Sequence, residues 1–264
     1  MADLRERPPL RHPYFDHPGV LAFAHRGGAG EAPENSLRAF EAAVALGYRY
    51  LETDVHATAD GVLLAFHDGV LDRVTDRTGT VAEMPYAEVR KARIAGTEPI
   101  PRLDELLEAF PRARFNIDPK ADHSVGPLIK VLRDARALER VCVTSFSDRR
   151  TARLREALGP ELCTGLGPKG VARLRASAWV GLEGRLSPFP EGCAQVPHRQ
   201  YGLKLVDARF VAAAHRLGLQ VHVWTVDEEA EMAELLDMGV DGLMTDRPAV
   251  LKRVLEARKL WVEA

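Results

Sequence analysis

The amino-acid sequence predicts a single (β/α)8 barrel of the TIM type. Its 264 residues lie near the ~250 that such a barrel needs, and its 46% of apolar residues can supply one large core. Short apolar runs alternate with helical patterns along most of the chain, which is typical of parallel strands joined by helices. An open, doubly wound sheet is the alternative, but eight such units in a chain of this length favour a barrel.

The strand candidates follow one another at intervals that leave room for a helix after most of them. They cover residues 20–25, 50–55, 114–120, 140–146, 162–166, 194–198, 219–226 and 242–245. Helical patterns cover about 34–46, a segment ending near 137, and 148–158, 207–217 and 228–238. This alternation predicts helices in an outer layer around the strands.

Two segments depart from the alternation. Residues 1–18 are rich in proline and histidine, so they are expected to form an arm laid over the barrel domain, residues 19–264, or a frayed end. An insertion at about 61–101, between the second and third strands, contains an apolar run at 62–66, polar turns and a short helix near 86–93. Insertions at the C-terminal face of such barrels usually help to build the substrate site.

The charge of the chain indicates which class of partner it binds, and its cysteines indicate the redox state of its compartment. The net charge is −2, with 36 basic and 38 acidic residues interspersed, which favours a small-molecule substrate over nucleic acid or an anionic membrane. The three cysteines form no CxxC pair, so neither a disulfide framework nor a zinc knuckle is indicated.

The N-terminal apolar run at 20–24 is too short for a signal or spanning segment, so a cytoplasmic protein without membrane insertion is expected. The sequence does not indicate an oligomeric state.

Two acidic residues on the second predicted strand indicate a cation site. Glu52 and Asp54 lie two residues apart, so their side chains point to the same face. Two carboxylates at the mouth of an apolar barrel repel each other, and one divalent cation, Mg²⁺ or Ca²⁺, offsets the cost of burying them. Two solvated acids on an edge strand are the alternative explanation.

The next barrel strand repeats this spacing with Asp118 and Lys120. Neighbouring strands lie ~4.8 Å apart, so Asp118 can complete the protein ligands of the cation while Lys120 faces the same space. Taken alone, the two residues are also explained as a structural ion pair. Their register with Glu52 and Asp54 favours the functional role.

Basic residues and histidines accompany the predicted carboxylate cluster. His25 and Arg26 close the first strand and precede a glycine-rich turn, but the turn lacks the full pattern of a nucleotide site. His67 ends the apolar run of the insertion, and Asp68 beside it can orient the imidazole. A lone histidine is usually structural, whereas two histidines beside a metal site supply the acid and the base that phosphoryl transfer needs. Arg26 and Lys120 can neutralise the phosphate oxygens.

Four ordered motifs resemble the signature of the glycerophosphodiester phosphodiesterase family. They are Ala24-His25-Arg26-Gly27-Gly28, Pro33-Glu34-Asn35-Ser36, Leu51-Glu52-Thr53-Asp54-Val55 and Phe66-His67-Asp68. Segments 223–226 and 239–248 are also similar to the family's closing strands, so the resemblance spans about residues 20 to 250. It implies hydrolysis of a glycerophosphodiester to sn-glycerol 3-phosphate and an alcohol such as choline, ethanolamine or glycerol.

The resemblance also implies roles for individual residues. His25 and His67 correspond to the general acid–base pair, and Arg26 corresponds to a phosphate-binding group. Glu52 and Asp54 correspond to two of the metal ligands. The family carries glutamate where this chain has Asp118, which is one methylene shorter. The cation is therefore expected to lie deeper, to gain a water or to change its preference between Mg²⁺ and Ca²⁺.

Three further residues lie near the predicted site. Asn35 follows Glu34 at the predicted start of the first helix, where the family has a Glu-Asn pair near its site, and helix capping is the alternative role. Trp224 ends the seventh strand and is expected to form a wall for the glycerol or the headgroup, with core packing as the alternative. Asp246 is expected only to brace the turn before Pro248.

The route of reaction and two rival functions stay open. The attacking group is either the substrate's own glycerol 2-hydroxyl, which gives a cyclic phosphate that water then opens, or water directly. A phosphorus–oxygen lyase or a lysophospholipase D on the same barrel would be indicated by a wide apolar groove, which the mixed and charged insertion does not suggest. A non-catalytic metal-binding barrel is the other rival, and the intact histidines and acids argue against it.

Overall fold

The centre of the computed structural model is a barrel of eight parallel strands, and the structure describes residues 12–181, 184, 188–200 and 202–263. The barrel strands are β1 (Leu21–Ala24), β2 (Tyr50–Ala57), β3 (Arg114–Pro119), β4 (Val141–Val143), β5 (Cys163–Thr164), β6 (Cys193–Pro197), β7 (Gln220–Trp224) and β8 (Gly242–Thr245). The sheet runs in the order β5-β4-β3-β2-β1-β8-β7-β6, and a parallel bridge between Gly165 and Cys193 joins its two ends. The predicted barrel and its eight strands are confirmed, with strand ends that shift by at most three residues.

Eight helices follow the strands and form the outer layer. They are α1 (Leu37–Ala45), α2 (Leu103–Ala109), α3 (Val125–Asp134), α4 (Asp148–Leu158), α5 (Pro168–Val180), α6 (Ala208–Arg216), α7 (Glu229–Asp237) and α8 (Pro248–Ala257). Their apolar faces pack against the outside of the strands and form the main core. Over the ranges that the structure describes, no helix combines the length and the apolar character needed to cross a membrane.

Helix α1 begins three residues later than predicted. Ser36 is its N-cap, and the Ser36 hydroxyl accepts a hydrogen bond from the backbone amide of Ala39 at 3.2 Å. A serine at this position pairs one of the amides that the first turn of a helix leaves without a partner. Glu34 and Asn35 therefore lie in the loop between β1 and α1, where they do not act as caps.

The register of β2 and β3 positions the acidic residues of the barrel. Glu52 lies opposite Asn116, and Asp54 lies opposite Asp118. Side chains alternate along a strand, so all four of these side chains point into the barrel, whereas Thr53 points outwards. A single register thus assembles the polar centre from two neighbouring strands.

Residues 12–18 of the predicted arm lie against the amino ends of the barrel strands. Tyr14 and Phe15 are buried in the cluster of side chains that fills this end of the barrel. The Tyr50 hydroxyl and Arg114 both donate to the carbonyl of Tyr14 at 2.8 Å, and Arg114 also donates to the carbonyl of Asp16. Residues 1–11 of the arm lie outside the described residues.

The insertion between β2 and β3 packs around a small core of its own. Its first strand, Leu63–Ala65, pairs antiparallel with the end of β2. The helix predicted near 86–93 is shorter, Tyr86–Val89, because residues 93 and 94 already pair with 98 and 99 as a small hairpin. Its core consists of Leu64, Phe66, Leu71, Val81, Val89, Ala92, Ile94 and Ile100. The extension of β2 thus places the insertion beside the C-terminal face of the barrel.

Candidate active site

A cavity of about 600 Å³ opens at the carboxyl ends of the barrel strands. Its inner end is polar and is lined by His25, Arg26, Glu52, Asp54, His67, Asn116, Asp118 and Lys120. Trp224 lines the same cavity. Of the nine residues proposed for the site from sequence, the structure brings all but Asn35 to this cavity.

The carboxylates at the inner end are buried and face cationic partners. Only 4% of Glu52 and 2% of Asp54 is exposed. Lys120 lies between two carboxylates, with its Nζ 2.7 Å from Asp54 Oδ1 and 2.9 Å from Asp118 Oδ2. Arg26 Nε is 3.1 Å from Asp54 Oδ2, and the backbone amide of Arg26 donates to Glu52 Oε2 at 3.0 Å. Partners of this kind offset the cost of burying charge.

The three carboxylates differ in their affinity for protons. Burial and the negative charge of Asp54 raise the pKa of Glu52 to about 7. Burial also raises the pKa of Asp118, and the ammonium of Lys120 offsets this effect only in part. For Asp54, burial is outweighed by the charges of Lys120 and Arg26, which lower its pKa. An additional positive charge at this end of the cavity would favour the ionised form of Glu52 and Asp118.

The donor set at this end suits a divalent cation. Asp118 Oδ1 and Asp54 Oδ2 are buried without a hydrogen-bond partner, although Arg26 Nε lies near the latter. Carboxylate oxygens are the ligands that Mg²⁺ and Ca²⁺ prefer. In the part of the chain that the structure describes, no three metal-ligating side chains already stand in a ligating arrangement, and Lys120 lies between two of the predicted ligands. The metal site at Glu52, Asp54 and Asp118 therefore stays a prediction, which the unpaired oxygens support.

His25 follows β1 directly and is oriented by a carboxylate. Its Nδ1–H donates to Asp246 Oδ1 at 2.7 Å, and its Nε2 lies 3.8 Å from Glu52 Oε2. Burial lowers the pKa of His25, but the negative charges of Glu52 and Asp246 outweigh burial and raise it. The role expected for Asp246 was therefore incomplete, because its carboxylate positions the imidazole. The pairing of β1 with β8 places Ala24 opposite Thr245, so the residues that follow them meet.

His67 approaches the cavity from the insertion. Its Nδ1–H donates to Asp68 Oδ1 at 2.5 Å, as the sequence predicted, and Arg73 holds the other oxygen of Asp68. The backbone carbonyl of His67 accepts a hydrogen bond from His56 Nε2. Each of the two predicted acid–base histidines thus has Nδ1 tied to a carboxylate, which leaves Nε2 as the nitrogen to exchange a proton with a ligand.

The loop between β1 and α1 positions Arg26, whose φ is +51°. Glu34 accepts a hydrogen bond from Arg26 Nη1 at 3.1 Å and also binds Arg73, so it orients two guanidinium groups. Asn35 is buried and does not line the cavity. Its side-chain oxygen accepts from the Thr53 hydroxyl, and its backbone amide donates to the carbonyl of Arg26. The structure therefore gives Asn35 a bracing role, and its predicted contact with substrate stays a prediction.

Asn116 is a cavity residue that the sequence motifs did not single out. It lies opposite Glu52, and its side-chain oxygen accepts a hydrogen bond from Gln195 Nε2 at 2.9 Å. A signal was available, since Asn116 stands two residues before Asp118 on the same strand and so shares its face. The two amides add neutral polar groups to the inner end of the cavity.

The outer part of the cavity is apolar. Its apolar lining residues are Phe146, Leu166, Pro168, Val171, Ala172, Ala176, Trp179, Val196, Pro197, Leu205 and Trp224, and Arg175 and Gln200 also line the cavity. Phe146 and Trp224 meet edge to face with ring centroids 5.7 Å apart. The charged insertion did not suggest an apolar groove, and the structure corrects this expectation, because α5 on another side of the barrel supplies much of the wall.

Known proteins resemble this chain in sequence and in fold. A model of the glycerophosphoryl diester phosphodiesterase family matches residues 25–250. The chain belongs to this family. The matched range contains every catalytic, phosphate-binding and metal-binding residue proposed from the sequence, and membership confirms the resemblance that the four motifs indicated. The chain is therefore a phosphodiesterase of the type that acts on glycerophosphoryl diesters.

Individual relatives cover nearly the whole chain. The Mycobacterium tuberculosis protein "Probable glycerophosphodiester phosphodiesterase 2" is 38% identical over 257 residues, which are 94% of this chain and 95% of that protein. The Rattus norvegicus protein "Lysophospholipase D GDPD1" is 28% identical over 88% of this chain and 85% of its own length. The solved structure of an Agrobacterium tumefaciens glycerophosphodiester phosphodiesterase has a TM-score of 0.71 and 27% identity, covering 88% of this chain and 99% of that one.

Proposed function

We propose that the protein hydrolyses glycerophosphodiesters to sn-glycerol 3-phosphate and an alcohol, with His25 and His67 as the general acid–base pair. The observation that carries this proposal is the pair of imidazoles on one cavity, each with its Nδ1 held by its own carboxylate. Breaking a phosphodiester needs a base for the attacking hydroxyl and an acid for the departing alkoxide. The matched pairs His25–Asp246 and His67–Asp68 supply both groups.

Two routes fit these groups. In one, the substrate's glycerol 2-hydroxyl attacks phosphorus, the alcohol leaves with a proton from one imidazole, and water then opens the cyclic phosphate. In the other, water attacks directly. A phosphorus–oxygen lyase would stop at the cyclic product, so the products distinguish it from a hydrolase.

We further propose that one divalent cation, Mg²⁺ or Ca²⁺, is held by Glu52, Asp54 and Asp118. Asp118 Oδ1 and Asp54 Oδ2 support this ligand set, because both are buried and accept no hydrogen bond, although Arg26 Nε lies near the latter. When bound, the cation supplies positive charge to the phosphate oxygens and stabilises the ionised carboxylates. The shorter side chain of Asp118 reaches less far than the family's glutamate.

The remaining polar groups would bind the substrate. Arg26 and Lys120 line the cavity and can pair with the non-bridging phosphate oxygens, where a guanidinium donates two parallel hydrogen bonds. Trp224 would form a wall against the glycerol or the headgroup. Asn35 would contribute indirectly, by bracing the loop that carries Arg26. A small-molecule glycerophosphodiester is thus the proposed partner.

A cytoplasmic location is proposed because the three cysteines are buried as free thiols, which fits a reducing compartment.

Alanine replacement of each histidine tests the proposal. His25→Ala and His67→Ala should lower the turnover of glycerophosphocholine by at least about a hundredfold, because each removes a proton-transfer group. His215→Ala is the matched control, since His215 also pairs with an aspartate, Asp241, at 2.7 Å but does not line the cavity. Folded variants with the activity of the parent protein would contradict the acid–base assignment.

A further inference from the structure

Helix α5 turns one of its faces towards the cavity. The α5 residues that line the cavity lie on one side of the helix and are Pro168, Val171, Ala172, Arg175, Ala176 and Trp179. We call the five apolar residues among them the α5 wall. On another side of the same helix, Leu174 and Ala178 pack into the main core. The small side chains of Ala172 and Ala176 leave open space beside an apolar surface that the charged inner end of the site does not use.

The apolar surface continues to the mouth of the cavity. Phe146 and Trp179 line it and are 63% and 62% exposed, and Leu203, in the hairpin beside the lining residue Gln200, is 70% exposed. Large apolar side chains gathered at the opening of a pocket are unusual on a soluble surface and mark a binding site. Phe146 and Trp179 line the same cavity as the polar residues to which the phosphate is assigned.

This wall is fixed by contacts within the protein. The guanidinium of Arg175 lies over the ring of Trp179, 4.8 Å from its centroid. The same guanidinium donates to Asp207 Oδ2 at 2.9 Å and to the carbonyl of Leu205 at 3.2 Å. Arg175 therefore ties α5 to the segment before α6, so the wall is already formed for a ligand.

We propose that the α5 wall binds one long alkyl chain of the substrate, so that the preferred diester is amphiphilic. This proposal rests on the proposed function, because the phosphate is assigned to the inner end of the same cavity. From Pro168 to Trp179 the helix rises over eleven residue steps, or roughly 16 Å, the reach of a long extended chain. Contact with such a surface adds little binding free energy for a hydroxyl or ammonium group, whereas each methylene group buried there strengthens binding.

Two kinds of diester carry such a chain. In one, a fatty acyl group is esterified to the glycerol, as in a lysophospholipid. In the other, the leaving alcohol carries the chain, as in a glycerophospho-N-acylethanolamine. Both present the same chemistry to the α5 wall, and two substrate series distinguish them.

The test measures kcat/KM for both series at increasing chain length, below the micelle concentration, with glycerophosphocholine as the chainless reference. We expect kcat/KM to rise about two- to fourfold for each methylene that the wall buries, in at least one series. Ala176→Phe fills the space beside the wall and should reduce the preference for the longest chain over glycerophosphocholine at least tenfold. Ala152→Phe, the same replacement at an exposed position of α4, is the control and should keep the preference of the parent.

The outcomes separate this proposal from the proposed function. Turnover of glycerophosphocholine with no gain from chain length in either series would overturn the alkyl-chain site and leave the phosphodiesterase intact. A chain-length gain that Ala176→Phe does not reduce would also overturn it, because the chain would then bind elsewhere. No turnover of any diester by the parent protein would contradict the proposed function itself.

Discussion

Replacing Asp246 with alanine removes the carboxylate that orients His25. The bond from His25 Nδ1 to Asp246 Oδ1 is 2.7 Å long and joins a partly buried imidazole to a negative charge. Hydrogen bonds to charged groups contribute about 1.5–3 kcal/mol. At ~1.36 kcal/mol per tenfold change, Asp246→Ala should lower kcat/KM for glycerophosphocholine by about 10- to 150-fold.

The pH dependence distinguishes orientation of His25 from a merely structural role. The negative charge of Asp246 helps to raise the pKa of His25, so its removal lowers that pKa. The limb of the pH profile of kcat/KM that is set by the ionisation of His25 should therefore move to lower pH in Asp246→Ala. An unchanged kcat/KM together with an unmoved limb would show that Asp246 does not orient His25.

A matched variant controls for damage to the turn. Asp227 Oδ1 accepts hydrogen bonds from the Thr245 hydroxyl and from the backbone amide of Asp246. The side-chain oxygen of an asparagine can accept both bonds, and Asp227 does not contact His25. Asp227→Asn should therefore keep the kcat/KM and the pH profile of the parent protein.

Three further replacements test the fold and the cation site. Tyr50→Phe removes the hydroxyl that donates to the carbonyl of Tyr14 and accepts from Arg114, so the free energy of unfolding in urea should fall by about 1–3 kcal/mol. Ser36→Ala removes the N-cap of α1 and should cost about 1 kcal/mol in the same assay; an unchanged unfolding midpoint in either variant would contradict the contact assigned to it. Glu52→Gln should weaken the binding of Mg²⁺ or Ca²⁺ by about tenfold or more in calorimetry, and an unchanged Kd would remove Glu52 from the ligand set.

Local sequence pattern was sufficient for the barrel and for most of its polar centre. Strands that are buried on both faces are visible in the sequence as apolar runs, and a helical pattern separates most of them. The ends of the strands were therefore predicted to within three residues. The spacing of Glu52 and Asp54 fixed their common face, because side chains alternate along any strand. The structure pairs Asp54 with Asp118, which is the register that we expected for these two neighbouring strands.

Features that depend on tertiary packing were harder to foresee. Asp246 meets His25 only because the first and last strands of the barrel pair, which brings together residues 221 positions apart. The α5 wall was missed because its alanines are as common in a packed helix as beside a cavity. Glu34, Asn35 and Ser36 could each cap α1 by residue type. The hydrogen bond from the amide of Ala39 to the Ser36 hydroxyl identifies Ser36 as the cap.

The proposed hydrolysis at the inner end of this cavity depends on a bound divalent cation. Its most direct test is product analysis of the chelator-treated protein with glycerophosphocholine, after addition of Mg²⁺, Ca²⁺ or neither. We expect sn-glycerol 3-phosphate and choline only when a divalent cation is present, with any cyclic glycerophosphate consumed as the reaction proceeds. Equal formation of sn-glycerol 3-phosphate with and without a cation would contradict the cation site, and cyclic glycerophosphate as the final product would contradict hydrolysis.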